Sequence, residues 1–344
     1  MIRRLLGLMS ALALAPLAVP AAHAQAPAPP PCTADGKIGY VCGLMNVEDL
    51  VAVPGGRWIL GSAMQAGTGG VYLIDASKHT AKTIAITFGP AQKPYDGCNG
   101  PPDMKSIRTH GIELRPSVDG TPTFYAINHG GRESIEVFKL DTVAREPSLT
   151  WIGCLTMPAG AVPNAVTALP GGAIAVTKFL NTSDADGIVK VMNGELVGTV
   201  YVWRPSTGFK ELAGARLAGD NGIVASRDGK FLFVNDYGGK AVWKYAVDGT
   251  GKPTRVAVDF HPDNVRWAPD GKIFVTGQYF DMNNRNGLHG WGAVKLDPAA
   301  MTTSPYLKIP GTAAFDNGTT TLQVGKELWV GTYRGDRVAY LPAP

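Results

Sequence analysis

The sequence predicts an all-β protein, a six-bladed β-propeller with four-stranded blades. One phrase recurs six times: a polar residue, a short apolar stretch, a Gly-containing turn and a run of β-forming residues. The copies are spaced by roughly the 40 to 50 residues of a propeller blade, or a little more. The composition agrees, because the chain has 43 Gly, 26 Pro and only 17% charged residues, without a sustained helical periodicity.

The six copies supply the two inner strands of each predicted blade. Each copy is a strand, a turn and a second strand, which is a unit suited to a closed array. Their head residues and turns are Glu48 with VPGG, His110 with VDG, Asn164 with LPGG, Asn221 with RDGK, Asp263 with PDGK and Thr319 with VGK.

A third strand is predicted after each turn. Segments that mostly alternate apolar and polar residues end there in turn formers, at residues 71–77, 135–141, 200–206, 242–248, 293–299 and 338–344. This pattern is typical of antiparallel strands. The sixth blade is left without an outer strand, and an exposed edge invites aggregation. We therefore expect KIGYVCG, residues 37–43, to fill that edge and close the ring.

Residues 1–24 have the pattern of a secretory signal peptide: a basic start, an apolar middle and a small-residue cleavage site. Pro16 and Pro20 interrupt the short apolar run, which disfavours a membrane span. The Pro-rich residues 25–36 are interpreted as a spacer, and residues 37–344 as the propeller. This organisation predicts a secreted or periplasmic protein.

Export places the four cysteines in an oxidising compartment, where an even number favours disulfides. Three pairings are possible. We favour Cys32 with Cys42 and Cys98 with Cys154, because the latter two lie in the segments leading into neighbouring repeats. The net charge of +4 is spread without a basic run, so nucleic acid is not an expected partner.

The head residues of four repeats share one register. Glu48, Asn164, Asn221 and Asp263 each lie eight residues before a turn glycine, and His110 lies ten before Gly120. Because the inner strands of a propeller line its central axis, equivalent positions face one another. Two carboxylates and two amides are oxygen donors suited to calcium. The alternative is that these polar groups only cap the starts of strands.

Several stretches resemble the paraoxonase/arylesterase family of six-bladed calcium lactonases and, more distantly, gluconolactonase-type propellers. They are NVEDLVAVPGG, THGIELRP, YAINHGGRESIEVFKLD, PNAVTALPGG, NGIVASRDGKFLFVNDYGGKAVWKY and DNVRWAPDGKIFVTG. The resemblance covers nearly all of the chain that follows the predicted signal peptide. Its most specific pieces are the ED pair, HGI, the NH with the strand that follows it, NGI and DN.

The resemblance implies a role for each matching residue. The implied ligands of a catalytic calcium are Glu48, Asn164, Asn221, Asp263 and Asn264. His110 would be the catalytic histidine and His129 its partner. Asp49 and the carbonyl of Ile112 match positions around a second, structural calcium. Two departures are Ala165, where the family has an aspartate ligand of that second ion, and Gln278, where vertebrate members have histidine.

The insertion 179–198 and the segment 279–291 are candidate lids over the channel. Their aromatic residues would either line an apolar substrate pocket or pack in the core: Phe179, Tyr279, Phe280 and Trp291.

The sequence therefore predicts an exported calcium-dependent hydrolase of lactones or aryl esters, with no membrane span and with a monomer favoured. Two alternatives stay open. One is a sugar-lactone hydrolase that needs the oxygen ligands but no histidine base. The other is a propeller that binds a ligand or protein without catalysis.

Overall fold

A computed structural model describes residues 30–116 and 120–344, and Pro31–Pro344 form one compact unit. Within these described ranges the strands form six sheets arranged as the blades of a propeller. The predicted fold class is confirmed. The predicted signal peptide and most of the predicted spacer lie outside the described residues, so that division of the chain stays a prediction.

In blades one to five the chain runs from the innermost strand outward. Blade one consists of Leu50–Ala52, Trp58–Ser62, Val71–Asp75 and Thr80–Thr83, and blade two of Thr109–Arg115, Thr123–Asn128, Ser134–Asp141 and Ser148–Thr156. Blade three consists of Ala161–Ala168, Ile174–Asn181, Thr199–Arg204 and Gly208–Glu211. Blade four consists of Asp220–Ala225, Phe231–Asp236, Ala241–Ala246 and Thr254–Ala257, and blade five of His261–Trp267, Ile273–Gln278, Trp291–Asp297 and Thr302–Ile309.

Blade six closes the ring. Its inner three strands are Gly318–Val324, Glu327–Thr332 and Arg337–Pro342, and its outer strand is Gly39–Cys42. The outer strand pairs antiparallel with Arg337–Pro342, with Gly39 opposite Tyr340 and Cys42 opposite Arg337. The predicted closure by the N-terminal segment is confirmed. It covers the edge that blade six would otherwise expose.

Blade two differs from the prediction by carrying a fifth strand. Ala85–Phe88, from the connection between blades one and two, pairs parallel with the outer strand Ser148–Thr156. Short helical turns are found at Pro170–Gly172, Gly187–Met192 and Met282–Asn284. Within the described ranges no helix has both the length and the apolar character needed to cross a bilayer.

The core lies between neighbouring blades. One apolar cluster joins blades three and four through Val202, Ile223 and Leu232, and another joins blades one and two through Leu73 and Phe124. Sheets covered on both faces favour continuous apolar strands over strict alternation. Every residue of the third strand of blade one, Val71–Asp75, is accordingly buried.

The disulfides join Cys32 to Cys42 and Cys98 to Cys154, which confirms the predicted pairing. The first fastens the N-terminal segment to the closing strand. The second connects the segment before blade two with the outer strand of that blade.

The inner strands share an irregularity that positions the head residues. In blades two to six the pairing between the inner strand and the second strand shifts by one residue. Between two successive paired positions the inner strand advances three residues and the second strand only two, as in a β-bulge. The residues left without a ladder partner are His110–Gly111, Asn164–Ala165, Asn221–Gly222, Asp263–Asn264 and Thr319–Thr320. In blade one, Glu48 and Asp49 immediately precede the first paired residue, Leu50. The side chains of the head residues therefore do not have to follow the regular alternation between the two faces of the sheet.

Gly222 lies where the bulges of blades four and five touch. A Cβ atom at this position would lie 2.4 Å from the carbonyl oxygen of Asp263 and 2.7 Å from Cα of Asn264. We expect Gly222→Ala to destabilise the protein by about 1–3 kcal/mol, because backbone must move to admit the methyl group. Gly97→Ala is the matched control, since its nearest contact would be 3.4 Å from the carbonyl oxygen of Cys154. Equal urea midpoints for the two variants would contradict this expectation.

Candidate metal centre and histidine relay

Head residues from blades one, four and five meet in one buried cluster. Oε1 of Glu48 accepts a hydrogen bond from Nδ2 of Asn264. The Asp263 carboxyl lies within hydrogen-bonding reach of both the Glu48 carboxyl and the Asn221 side chain. The bulge in blade five explains why the consecutive residues Asp263 and Asn264 both contact this cluster.

Gln278 fixes the orientation of Asp263. Its Nε2 donates to Oδ2 of Asp263 at 2.7 Å and to the carbonyl oxygen of Gly318 at 3.1 Å, and its Oε1 accepts from the Tyr237 hydroxyl at 3.1 Å. Gln278 is fully buried. The predicted departure from histidine at this position thus supplies a neutral amide that braces a carboxylate of the cluster.

Three buried oxygens of the head residues have unused acceptor capacity. Oε2 of Glu48, Oδ1 of Asn164 and Oδ1 of Asn221 are buried and have no hydrogen-bond partner among the residues that the structure describes. Buried polar atoms are nearly always paired, so each such atom calls for an explanation. A cation bound at the cluster would satisfy the oxygens of Glu48 and Asn221.

The electrostatics also favour a cation. Burial raises the pKa of Glu48 well above its usual value, and the Asp263 and Asp49 carboxylates raise it further. Burial raises the pKa of Asp263 to about 7. Two neighbouring buried carboxylates repel each other unless a positive charge or a proton lies between them.

The donor chemistry fits calcium. Carboxylate and amide oxygens are ligands that calcium accepts in flexible geometries. No group of three or more His, Cys, Asp or Glu side chains in residues 30–116 and 120–344 is arranged to hold a metal ion. The amide oxygens of Asn164 and Asn221 would therefore be needed alongside the two carboxylates.

The sixth head residue, Thr319, has a different role. Its hydroxyl donates to the carbonyl oxygen of Glu48, and the neighbouring Thr320 hydroxyl donates to the same oxygen at 3.0 Å. Both threonines therefore fasten blade six to blade one beneath the Glu48 side chain.

The two predicted histidines form a relay with a glutamate. Nδ1 of His110 lies 3.0 Å from Nε2 of His129, and Nδ1 of His129 lies 2.6 Å from Oε2 of Glu133. At the other end, Nε2 of His110 lies 3.6 Å from Oε2 of Glu48. Burial and the neighbouring His129 lower the pKa of His110 well below its usual value, so its neutral form, which can accept a proton, dominates near pH 7.

A cavity of about 330 Å³ opens onto this relay. Its wall combines polar and apolar side chains: Met64, Arg108, His110, His129, Glu133, Val162, Pro163, Asn164 and Phe179. Phe179 is thus the predicted aromatic residue that reaches this cavity. Tyr279 lines a separate pocket, and Trp291 is fully buried against Phe315.

The predicted second calcium position contains an arginine. Asp49 and Ile112 do lie together, because Oδ2 of Asp49 accepts from the Ile112 amide at 2.9 Å. Nη2 of Arg266 donates to the Asp49 carboxylate and, at 2.7 Å, to the carbonyl oxygen of Ile112. The two groups predicted to bind a metal are therefore both bonded to a guanidinium.

Known proteins resemble the chain in sequence over part of its length. The family described as SMP-30/Gluconolactonase/LRE-like region matches residues 129–278. That region begins at the relay histidine and ends at the amide that braces the cluster, and it includes His129, Asn164, Asn221, Asp263, Asn264 and Gln278. Glu48 and His110 precede it.

Three solved structures share the fold over most of their length. A putative gluconolactonase is 14% identical with a TM-score of 0.53, covering 89% of this chain and 92% of that chain. A luciferin-regenerating enzyme is 12% identical with a TM-score of 0.53, covering 89% and 96%. A catalytically inactive virginiamycin B lyase from Staphylococcus aureus is 11% identical with a TM-score of 0.51, covering 90% and 99%. At such identities the likeness shows the fold alone. No curated protein matches the sequence.

The SMP-30/gluconolactonase-like region corresponds to the more distant of the two resemblances in the sequence. The paraoxonase-type calcium lactonase stays a prediction. Two residues inside this region were missed from the sequence, Glu133 and Arg266. A charged residue within a buried inner strand was the available signal for Arg266, and the four-residue spacing from His129 was the only signal for Glu133.

Proposed function

We propose that this chain is an exported, calcium-dependent hydrolase of lactones or aryl esters in which His110 activates the attacking water. The observation that carries the proposal is the meeting of unpartnered oxygens with the histidine relay. Nε2 of His110 lies 3.6 Å from Oε2 of Glu48, and that oxygen has no hydrogen-bond partner among the described residues. A general base and a cation site would therefore share one end of the channel.

The residues that would hold calcium are Glu48, Asn164, Asn221, Asp263 and Asn264. When bound, the ion would supply positive charge for the carbonyl oxygen of the substrate, where negative charge develops during attack. The protein's contribution is to hold these oxygens on separate blades. Gln278 keeps the Asp263 carboxylate turned toward the cluster.

The relay geometry assigns the protons. Glu133, as a carboxylate, can only accept, so Nδ1 of His129 carries the hydrogen and Nε2 of His129 is the acceptor. Nδ1 of His110 must then donate to His129. This leaves Nε2 of His110 with a free lone pair on the side that faces Glu48, where it can take a proton from water.

His129 and Glu133 are positioning residues for His110 in this mechanism. They hold its ring and tautomer, and they stabilise the imidazolium that forms when it takes the proton, as a carboxylate does in related histidine systems. The apolar wall of the cavity, including Val162, Pro163 and Phe179, suits a substrate with an apolar acyl or aryl part. The disulfides support the proposed export to an oxidising compartment.

A sugar-lactone hydrolase without a histidine base is the second candidate. The match to the SMP-30/Gluconolactonase/LRE-like region favours it. It would use the same oxygen cluster and would leave the relay without a catalytic role.

Removing calcium is expected to abolish hydrolysis. Purified protein dialysed against a chelator should lose turnover of a lactone and of an aryl acetate, and added calcium should restore both, because the positive charge proposed to stabilise the substrate carbonyl oxygen is removed with the ion. A sample dialysed without chelator is the control. Full activity in the presence of chelator would contradict the calcium mechanism, and bound calcium without turnover of any lactone or aryl ester would favour a non-catalytic binding propeller.

A further inference from the structure

Arg266 uses its guanidinium to join three blades. From the inner strand of blade five, its Nε donates to the carbonyl oxygen of Leu50 in blade one at 2.9 Å. Its Nη2 donates to the Asp49 carboxylate and to the carbonyl oxygen of Ile112 in blade two. Arg266 is only 8% exposed, so its charge acts with little screening by water.

Both carboxylate oxygens of Asp49 have hydrogen-bond donors, whereas the neighbouring cluster contains oxygens without a partner in the described part of the chain. Oδ1 of Asp49 accepts from the Leu50 amide at 2.9 Å and from the Thr320 hydroxyl at 3.0 Å. Oδ2 accepts from the Ile112 amide and from Arg266. No oxygen of Asp49 is left for a metal ion, whereas Glu48, Asn164 and Asn221 each have a buried oxygen without a partner in the described part of the chain.

The residue at position 165 agrees with this arrangement. Ala165 packs on Gly111, since a Cβ at Gly111 would lie 2.5 Å from Cα and 3.1 Å from Cβ of Ala165. Its methyl group therefore lies beside the residue that precedes Ile112, where it offers no ligand. Glu113 brings a further carboxyl within electrostatic range of Asp49 and Arg266, and Arg115 lies within range of that carboxyl. The residues present do not fit a second metal ion.

We infer that Arg266 is a built-in cation that takes the place of a second metal ion and positions Asp49. The Thr320 hydroxyl extends this effect, because it lies 3.0 Å from both Oδ1 of Asp49 and the carbonyl oxygen of Glu48 and shares its single hydrogen between these two acceptors. Arg266 thereby holds the backbone that presents the Glu48 side chain to the proposed calcium. The inference does not depend on what that first ion is or on whether the protein is a hydrolase.

Metal stoichiometry tests the inference. Protein equilibrated with excess calcium and dialysed at fixed free calcium is analysed for bound metal by mass spectrometry. The wild-type chain is expected to hold one ion, and the variant Arg266→Ser with Ala165→Asp is expected to hold one more than wild type. Two ions in the wild type, or no gain in the double variant, would overturn the inference. No ion in the wild type with one in the double variant would refute the proposed function and leave this inference standing.

Thermal unfolding gives a second readout that does not depend on activity. Arg266→Ser alone should have a lower Tm than the wild type. Adding calcium should not reduce this difference in Tm. In the double variant, calcium should reduce the difference in Tm from the wild type, because the added carboxylate and the removed guanidinium create a cation site. A double variant that stays unfolded or equally destabilised with and without calcium would count against the inference.

Discussion

Replacing His110 by glutamine is expected to lower kcat/KM for a lactone by roughly 10²- to 10⁴-fold, the range of general-base catalysis. Glutamine has a similar reach and can bond to His129, but it cannot take a proton near neutral pH. Calcium binding should persist, because the proposed ligands are oxygens of other residues. Initial rates over a range of lactone concentrations, together with calcium stoichiometry, measure both effects.

Two further variants show whether the loss is specific to the relay. Glu133→Gln should give a smaller loss, because it weakens the bond that sets the tautomer of His129 without removing the base. His79→Gln is the matched control, since His79 stacks on Tyr340 and contacts Glu327 away from the channel. Unchanged kcat/KM in His110→Gln would eliminate the histidine mechanism and favour the sugar-lactone alternative.

Replacing Glu48 by glutamine is expected to abolish hydrolysis and to remove most of the stabilisation that calcium gives the wild type. One of the two carboxylates in the cluster is lost, so calcium affinity should fall by about 100-fold or more, given how strongly ligand charge sets calcium affinity. In chelator, however, the variant should unfold at a higher temperature than the wild type, because the repulsion between Glu48 and Asp263 is relieved. With calcium at about 100 times the wild-type Kd, the wild type should gain about 2.7 kcal/mol, and a variant with 100-fold weaker affinity should gain only about 0.4 kcal/mol.

Calorimetric unfolding scans in chelator and in calcium provide the measurement. Asp220→Asn is the control, since Asp220 is a fully buried carboxylate of an inner strand whose Oδ2 bonds to the Leu217 amide. That variant should leave calcium affinity unchanged. Curves for Glu48→Gln that match the wild type under both conditions would show that Glu48 does not bind the ion.

The sequence allowed the fold and the shared position of the head residues to be predicted. Glu48, Asn164, Asn221 and Asp263 could be aligned by counting from the turn glycines, because every blade repeats the same hairpin. The closing strand could be predicted because an uncovered edge in blade six would be unfavourable. The fifth strand of blade two could not, since Ala85–Phe88 pairs parallel with a strand more than 60 residues away.

The positions of Asn264 and Arg266 could not be predicted from strand patterns alone, because they depend on contacts that the two-residue alternation of a β-strand does not determine. Strand alternation puts Asp263 and Asn264 on opposite faces, and only the bulge in blade five brings both to the cluster. Arg266 is separated from Asp49 by 217 residues and reaches it across the channel. Residues far away in the sequence decide whether a buried carboxylate contacts a metal or an arginine. The sequence therefore could not show that Arg266 occupies the position predicted for a second calcium.

The strand pairing that closes blade six also has a consequence for the proposed cation site. Glu48 belongs to the first repeat and Asp263 to the fifth, and the pairing of Gly39–Cys42 with Arg337–Pro342 closes the ring in which they meet. A chain in which the ring has not closed would lack the complete set of proposed ligands. Binding of the proposed cation would then require a closed ring. Separating Gly39–Cys42 from Arg337–Pro342 would release the ion and abolish the proposed activity together.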